Sequence, residues 1–466
     1  MLISPLFAFI SLCPILITAT TVSYPRPSIY NKSYWYSLTV NGTNMYTVSY
    51  AGYDYVHLSM TKGDATKFRI ASVTESSITK YNITPKKLAI QANITGSELS
   101  FSLSTEIDVP ASSGAKIYNV LDYGAENNGS NVTTGVREAV NAASATAESI
   151  VYVPAGLYYI GNFVLRNSTQ LYLAGGSVLR FTGNKTDYKQ LFVKSDLAPG
   201  TWWIQTEFGS INVKIYGRGT IDGNGYYSQY TGKFIAHLIV PVDTTGFRFD
   251  GPLVRDGSFW AITPTQSQDV EFRNLKILNR LDVGQDDGID VIESTNVRVL
   301  RAISIALGDS YSTKTWTYNT DISAPYPKKP QPLSDVLFEN CIAWTTGVVF
   351  KDGIVYNAAV GIGIDHRYGT AKVANVTFDN IDVESLSGDN AGHGTWIAFF
   401  IESEGEGIGP VSNGKYTGLL LGYNNSAIID AVDFSDVFMF ANMTAAGTLG
   451  EMTIAKVNFT KSISIQ

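Results

Sequence analysis

A short motif that returns along the chain limits the fold more than any other feature. Val270-Glu-Phe-Arg-Asn-Leu-Lys-Ile, Val297-Arg-Val-Leu-Arg-Ala-Ile-Ser-Ile, Val336-Leu-Phe-Glu-Asn-Cys-Ile-Ala and Val376-Thr-Phe-Asp-Asn-Ile-Asp-Val follow one plan. A β-branched residue leads, a polar and an apolar one follow, Asn is frequent, and a second apolar run closes the unit. Val213-Lys-Ile-Tyr-Gly, Val432-Asp-Phe-Ser-Asp-Val and Ile454-Ala-Lys-Val-Asn-Phe keep the plan more loosely. Alternation with a period of two makes each a strand with one buried face. Recurrence at roughly 20–30 residues marks a solenoid, whose coils bury one another's cores. Stacking implies ladders of aliphatic and aromatic side chains inside and of Asn at the turns. The expected fold is all-β, a right-handed parallel β-helix over residues 113–466, preceded by a small antiparallel β-sandwich over 24–112.

The first coil of a solenoid exposes its core unless something covers it. Thr134-Gly-Val-Arg-Glu-Ala-Val-Asn-Ala-Ala reads as an amphipathic helix of about a dozen residues placed to do so. The segment from Tyr318 to Leu333, rich in Pro and Tyr, interrupts the repeat, and such insertions map to one face of a solenoid, often the binding face. The 24–112 region alternates in short runs such as Tyr34-Trp-Tyr-Ser-Leu-Thr-Val, separated by turn signals such as Asn41-Gly42. It carries no cluster of acids or His, so it reads as a packing domain rather than a sugar-binding module.

Residues 1–20 form an apolar run without a leading cation and read as a secretory signal peptide. Pro5 and Pro14 interrupt it and its core is short for a membrane anchor. Twelve Asn-x-Ser/Thr sequons, from Asn31 to Asn458, fit a secreted glycoprotein. Beyond Cys13 in that leader only Cys341 remains, so no internal disulfide can form and stability must come from a large core. A net charge of −7 argues against nucleic acid, which needs a basic face. The chain is expected to work as an extracellular monomer on a polysaccharide or oligosaccharide, with no membrane partner, no cofactor and no metal, since neither Cys/His ligand spacing nor a phosphate-binding Gly loop occurs.

Chemistry concentrates in two acidic turns. Gln285-Asp286-Asp287-Gly288-Ile289-Asp290 is followed, one coil later, by Gly308-Asp309-Ser310. Stacking would set Asp287 beside Asp309, with Asp286 and Asp290 at the edges. Crowded carboxylates repel, so one keeps its proton near neutral pH. One protonated and one ionised carboxyl is what hydrolysis of a glycosidic bond requires. The alternative is that Asp merely caps turns, and for Asp290 the two readings stand equal.

These residues resemble a known family. Asn119-Val-Leu-Asp-Tyr-Gly-Ala, Val151-Tyr-Val-Pro-Ala-Gly-Leu-Tyr and Leu171-Tyr-Leu-Ala-Gly-Gly-Ser-Val-Leu are similar to the opening coils of the polygalacturonase-like glycoside hydrolases of family 28, which share the pectin-lyase-like β-helix. Gln285–Asp290 resembles that family's Asn-Thr-Asp-Gly-Ile-Asp turn, and Gly308-Asp309 its Gly-Asp-Asp turn. The resemblance implies an inverting glycosidase. The departures are specific. One of the family's three carboxylates is missing. An ungapped count puts Asp309 on the second Asp of the pair, and a slip of one residue puts it on the first, the usual proton donor. The family's Gly-His-Gly turn falls on Thr345-Thr-Gly347, and the literal Gly392-His393-Gly394 lies more than a coil too late. The Arg-Ile-Lys clamp for a galacturonate carboxylate falls on Gly363-Ile364-Asp365, which exchanges two donors for a negative charge.

The resulting assignment has Asp309 as general acid and Asp287 as base, exchangeable, with Asp286 or Asp290 in support. Lys314, Trp316, Trp344, Lys351, Asp365, His366 and Arg367 are the candidate substrate-binding residues, since Trp stacks on sugar faces and cations bond hydroxyls or sugar acids. The expected substrate is not plain polygalacturonate. Two alternatives remain at this level: a glycan-binding protein that kept the scaffold without catalysis, and a polysaccharide lyase using Lys314 or Arg367 as base.

Overall fold

The computed structural model describes residues 21–466 except 61–65, 82, 84–89, 104–114, 345–350, 367–371, 387–394, 402–410, 415–418, 422–424, 426–427, 436, 438, 440–443, 453, 455 and 459. The expected signal peptide therefore lies outside the described residues. The chain divides into two compact units, one of residues up to Ser49 and Asp54–Pro110, the other of Tyr50–Tyr53 and Ala111–Gln466.

In the first unit, strands Thr43–Met45, Tyr36–Val40, Thr66–Ser72, Glu98–Leu103 and Ala92–Thr95 form one antiparallel sheet in that order. Alternation puts Leu38, Val40 and Phe68 on one face, which packs on Val56, Leu58 and Met60 of the shorter layer, where Leu58–Ser59 pairs Val22–Ser23. The expected antiparallel domain is thus present as a five-stranded sheet with small two-stranded partners.

The second unit is the parallel β-helix. Eight strands, from Ile117–Asn119 to Ser334–Glu339, make its first sheet, and ten, from Asn128–Asn131 to Asp382–Leu386, its second, every pairing parallel. Arg248, Glu271, Arg298 and Leu337 are successive register partners, so the coils there take 23, 27 and 39 residues. The long coil contains the Tyr318–Leu333 insertion. Helix α1, Thr133–Ser144, covers the first coil, burying Val136, Ala139, Val140 and Ala143. Cys341 lies fully buried in the central core among aliphatic and aromatic ladders, as a small apolar residue.

The Asn of the repeat has a backbone cause. Asn274 and Asn340, each closing a first-sheet strand, have φ of 50° and 55°, Asp269, Asn296 and Asp335 take the same left-handed conformation where first-sheet strands begin, and Asn380 shares it at 52°. Asn and Asp tolerate it because their short side chains bond nearby polar groups. The rungs pair amide with carboxylate: Asn296 Nδ2 donates to Asp269, Asn274 to Asp250 and Asn380 to Asp352. The expected Asn ladder is therefore an Asn–Asp ladder in which each donor has an acceptor one coil away.

A third sheet carries the two acidic turns. Strand Ala198–Thr206 pairs Ile235–Val240, single bridges join Ile239 to Ile262 and Ile262 to Ile289, and Ile289–Ile292 pairs Tyr311–Lys314. Among the described residues no helix is long and apolar enough to cross a membrane.

Candidate active site

Register places the two acidic turns. Ile289 pairs Tyr311 and Asp290 pairs Ser312, so Asp287 stands one layer from Asp309. The pair is tied through the backbone: the Asp309 N–H donates to Asp287 Oδ1 at 3.1 Å and the Gly288 N–H to the Asp309 carbonyl at 2.7 Å. Counting down the same sheet, Trp260, His237 and Trp202 occupy the layers below Asp287. The column Trp202–His237–Trp260–Asp287–Asp309 changes from aromatic to acidic at its third step.

Lys314 organises the acids. Its Nζ is 2.6 Å from Asp287, 2.7 Å from Asp290 and 3.7 Å from Asp309, and it sits 3.8 Å from the centroid of the Trp260 ring. One oxygen from each of the three carboxylates lies within 4.8 Å of the others, close enough to ligate a cation. The ammonium supplies that cation, and the indole face adds an attraction of its own. Access differs sharply. The Asp309 side chain is 43% exposed and that of Asp287 8%, while Asp290 is fully buried.

Electrostatics follow from this crowding. Loss of solvent, then the Asp287 charge, pushes the Asp309 carboxyl up to about 6, against the pull of Lys314. Burial raises Asp290 well above the carboxylate range, with Lys314 opposing it. Burial lowers Lys314, but Asp287, Asp290 and Asp309 outweigh it and hold the ammonium above its ordinary value. One ammonium cannot balance three ionised carboxylates, so a proton stays in the cluster at mildly acidic pH. Beneath it, burial and then Lys314 push His237 down to about 3, so its imidazole is neutral at physiological pH.

The sequence-derived candidates separate into three groups. Asp287, Asp290, Asp309 and Lys314 are brought together, with Trp316 alongside: its ring meets Trp260 edge-on at 5.6 Å, and Asp365, exposed on strand Val360–His366, is near enough to raise Asp309. His366 ends that same strand, half-buried. Trp344 flanks the second turn, its carbonyl accepting from the Ser310 hydroxyl at 3.4 Å and its ring packing against Tyr53 and Tyr356.

Two candidates are corrected. Asp286 is fully buried, and its Oδ1 accepts the Leu307 and Gly308 N–H groups, so it braces the next turn instead of facing a sugar. Lys351 lies at the edge of the first sheet, 3.5 Å from Glu339, outside the carboxylate cluster. Its sequence distance from Trp344 concealed that the chain crosses to another sheet. Arg367, Thr345–Gly347 and Gly392–Gly394 lie outside the described residues.

Gly308 lets the second turn approach Asp287 closely. A Cβ there would fall 1.9 Å from Asp287 Oδ1, so no other side chain fits while Asp287 keeps this orientation. Sequence reasoning missed Trp260, His237 and Tyr326. Counting one coil back from Asp287 finds Trp260. Tyr326 had no such signal: with Ile322 of the insertion it packs over Trp202, Trp260 and Ile292 on the outer face of the third sheet.

Residues 144–391 match the family model described as glycosyl hydrolases family 28. A probable rhamnogalacturonase E of Aspergillus oryzae is 22% identical over 341 residues, 70% of each chain. An exo-poly-α-D-galacturonosidase of Dickeya chrysanthemi is 28% identical over 122 residues, 24% of this chain and 20% of that one. The family 28 exopolygalacturonase structure from Yersinia enterocolitica shares the fold at TM-score 0.50 and 13% identity, covering 96% of both chains. A parallel β-helix with this family signature is a glycoside hydrolase. The chain belongs to glycosyl hydrolases family 28.

Proposed function

We propose that the protein hydrolyses a pectin-type polysaccharide at a point where the bound sugar is not an unmodified galacturonate. The observation that carries this is the Asp287–Lys314–Asp309 arrangement, in which one carboxyl is open to solvent and its neighbour is braced. Asp309 gives its proton to the leaving glycosidic oxygen. Asp287, held by the Lys314 ammonium and the Asp309 N–H, activates the water. Lys314 and Trp260 fix the base, and Trp316 offers a partly exposed aromatic edge to the sugar. The choice of sugar follows from Asp365, which stands where the resemblance puts a uronate clamp: a carboxylate there would be repelled. Similarity to a rhamnogalacturonase supports a backbone that mixes rhamnose with galacturonate.

The family resemblance implies inversion, and the roles above agree with it, since Asp287 activates a water and does not itself attack the sugar. Lys314, the base that a lyase would need, is bound by three carboxylates, which weighs against elimination. Extracellular action is part of the proposal and rests on the N-terminal apolar run and the sequons.

The test is digestion of rhamnogalacturonan, polygalacturonate and a neutral glucan with a reducing-end readout, beside Asp309→Asn and Asp287→Asn. Release from rhamnogalacturonan that both variants lose supports the reading. Binding without turnover, or an unsaturated product absorbing in the ultraviolet, overturns it. Proton NMR of the first product distinguishes inversion from retention.

A further inference from the structure

The N-terminal coils carry a second feature that the chemistry above does not use. An open cleft of about 930 Å³ lies on the third sheet beside α1, and Trp202, the first member of the column that ends at Asp287 and Asp309, lies in its wall. Phe208 stands next to Trp202, ring centroids 6.5 Å apart, and is 50% exposed. Pro325, from the insertion, closes one side. Three cations face the cleft: Arg137 of α1, Arg166 and Lys189. Arg166 is held by Glu207 at 2.8 Å, whereas Arg137 and Lys189 have no ion pair among the described residues. Asp187, the one carboxylate of the lining, already accepts the Thr182 hydroxyl at 2.6 Å.

An exposed aromatic face beside uncompensated cations matches a sugar ring bearing a carboxylate: the ring stacks and the acid is paired. Trp202 is three layers from Asp287, roughly 14 Å at about 4.8 Å per layer, a distance that a few linked sugars bridge. We propose that this cleft is a distal saccharide site that binds an acidic sugar of the polymer, through Arg137 and Lys189 with Phe208 as platform. Asp365 disfavours an acid near the cleavage point, while the distal cations hold one farther along the chain. The polymer is then aligned by a unit that is not being cut. This rests on the pectin-type reading of the substrate.

The experiment measures binding of a linear oligogalacturonide, and of the same oligomer with its carboxyls reduced to alcohols, by titration calorimetry. The full-length Asp309→Asn protein is used so that no turnover intervenes. The acidic oligomer is expected to bind at least tenfold more tightly, with an advantage that fades as salt rises through a few hundred millimolar. Adding Arg137→Gln and Lys189→Gln should remove the advantage, and Phe208→Ala should weaken both oligomers. Equal binding of the two oligomers to the parent protein, or an advantage that survives loss of both cations, overturns the proposal. The salt and carboxyl comparisons need no cleft variant, so equal binding rejects the proposal even if one misfolds, and Arg137→Gln and Lys189→Gln are also read singly so that the location is tested by whichever folds. The catalytic reading fails separately: rhamnogalacturonan cleavage persisting in Asp309→Asn would reject that reading and leave the distal site standing.

Discussion

Lys314 Nζ lies 2.7 Å from the fully buried carboxylate of Asp290, across one layer of the third sheet, and Ser312 bonds the same carboxylate oxygen at 2.6 Å. This pair joins two coils and fixes the ammonium that also braces Asp287.

Removing the cation strips Asp287 and Asp290 of the ammonium that offsets their burial. Lys314→Met is expected to cost about 3–5 kcal/mol, the usual range for breaking a buried pair from one side, and to abolish turnover. Denaturant unfolding gives the first quantity. Stability equal to the parent protein would show that the cluster sheds its charge by taking up protons once the ammonium is gone.

Asp309→Asn and Asp287→Asn should each lower kcat on the cleaved polymer by about 10²–10⁴, the span typical of a lost general acid or base. Asp309 is half-buried and makes no structural brace like that of Asp286, so its variant should unfold close to the parent temperature. A comparable fall in thermal stability for both would point to a structural role instead.

The pH response has a definite sign. Asp309, raised to about 6, must be protonated to act as an acid, so kcat should fall as pH rises through about 6. The same shift means that the folded state binds the extra proton, so the Asp309 contribution to stability declines from about pH 4 to pH 6. A kcat profile flat from pH 5 to 8 would remove Asp309 from the acid role.

Asp286 is expected to matter for folding and not for chemistry. Asp286→Ala strands the Leu307 and Gly308 N–H groups at a cost of about 1–3 kcal/mol each, whereas Asp286→Asn keeps an acceptor and should retain most of the turnover. A dead but stable Asn variant would return Asp286 to the catalytic set.

Trp260→Ala removes the aromatic floor under Lys314, and about 3–5 kcal/mol of stability should go with it. Trp260→Phe keeps a ring face for the ammonium and should recover most of that loss, measurable in the same unfolding experiment.

Much of this was legible in the residues themselves. The Val-x-Phe-x-Asn unit specified strand, turn and stack together, because period-two alternation requires a buried face and Asn suits a left-handed turn that most residues avoid. The spacing of 22 residues between Asp287 and Asp309 likewise announced neighbouring layers. What a linear reading lacks is direction. Asp286 and Asp287 are adjacent in sequence, yet one points into the core against two N–H groups and the other toward Lys314. Lys351 lies only seven residues after Trp344, but the chain has by then moved to another sheet. The partnership of Lys314 with Trp260, 54 residues apart, and the covering of the third sheet by Tyr326 exist only because coils of unequal length bring them into register. Local pattern set the coil, since it depends on neighbours along the chain. The charge balance of the site was left to the stack, since burial and Coulomb interactions depend on neighbours in space.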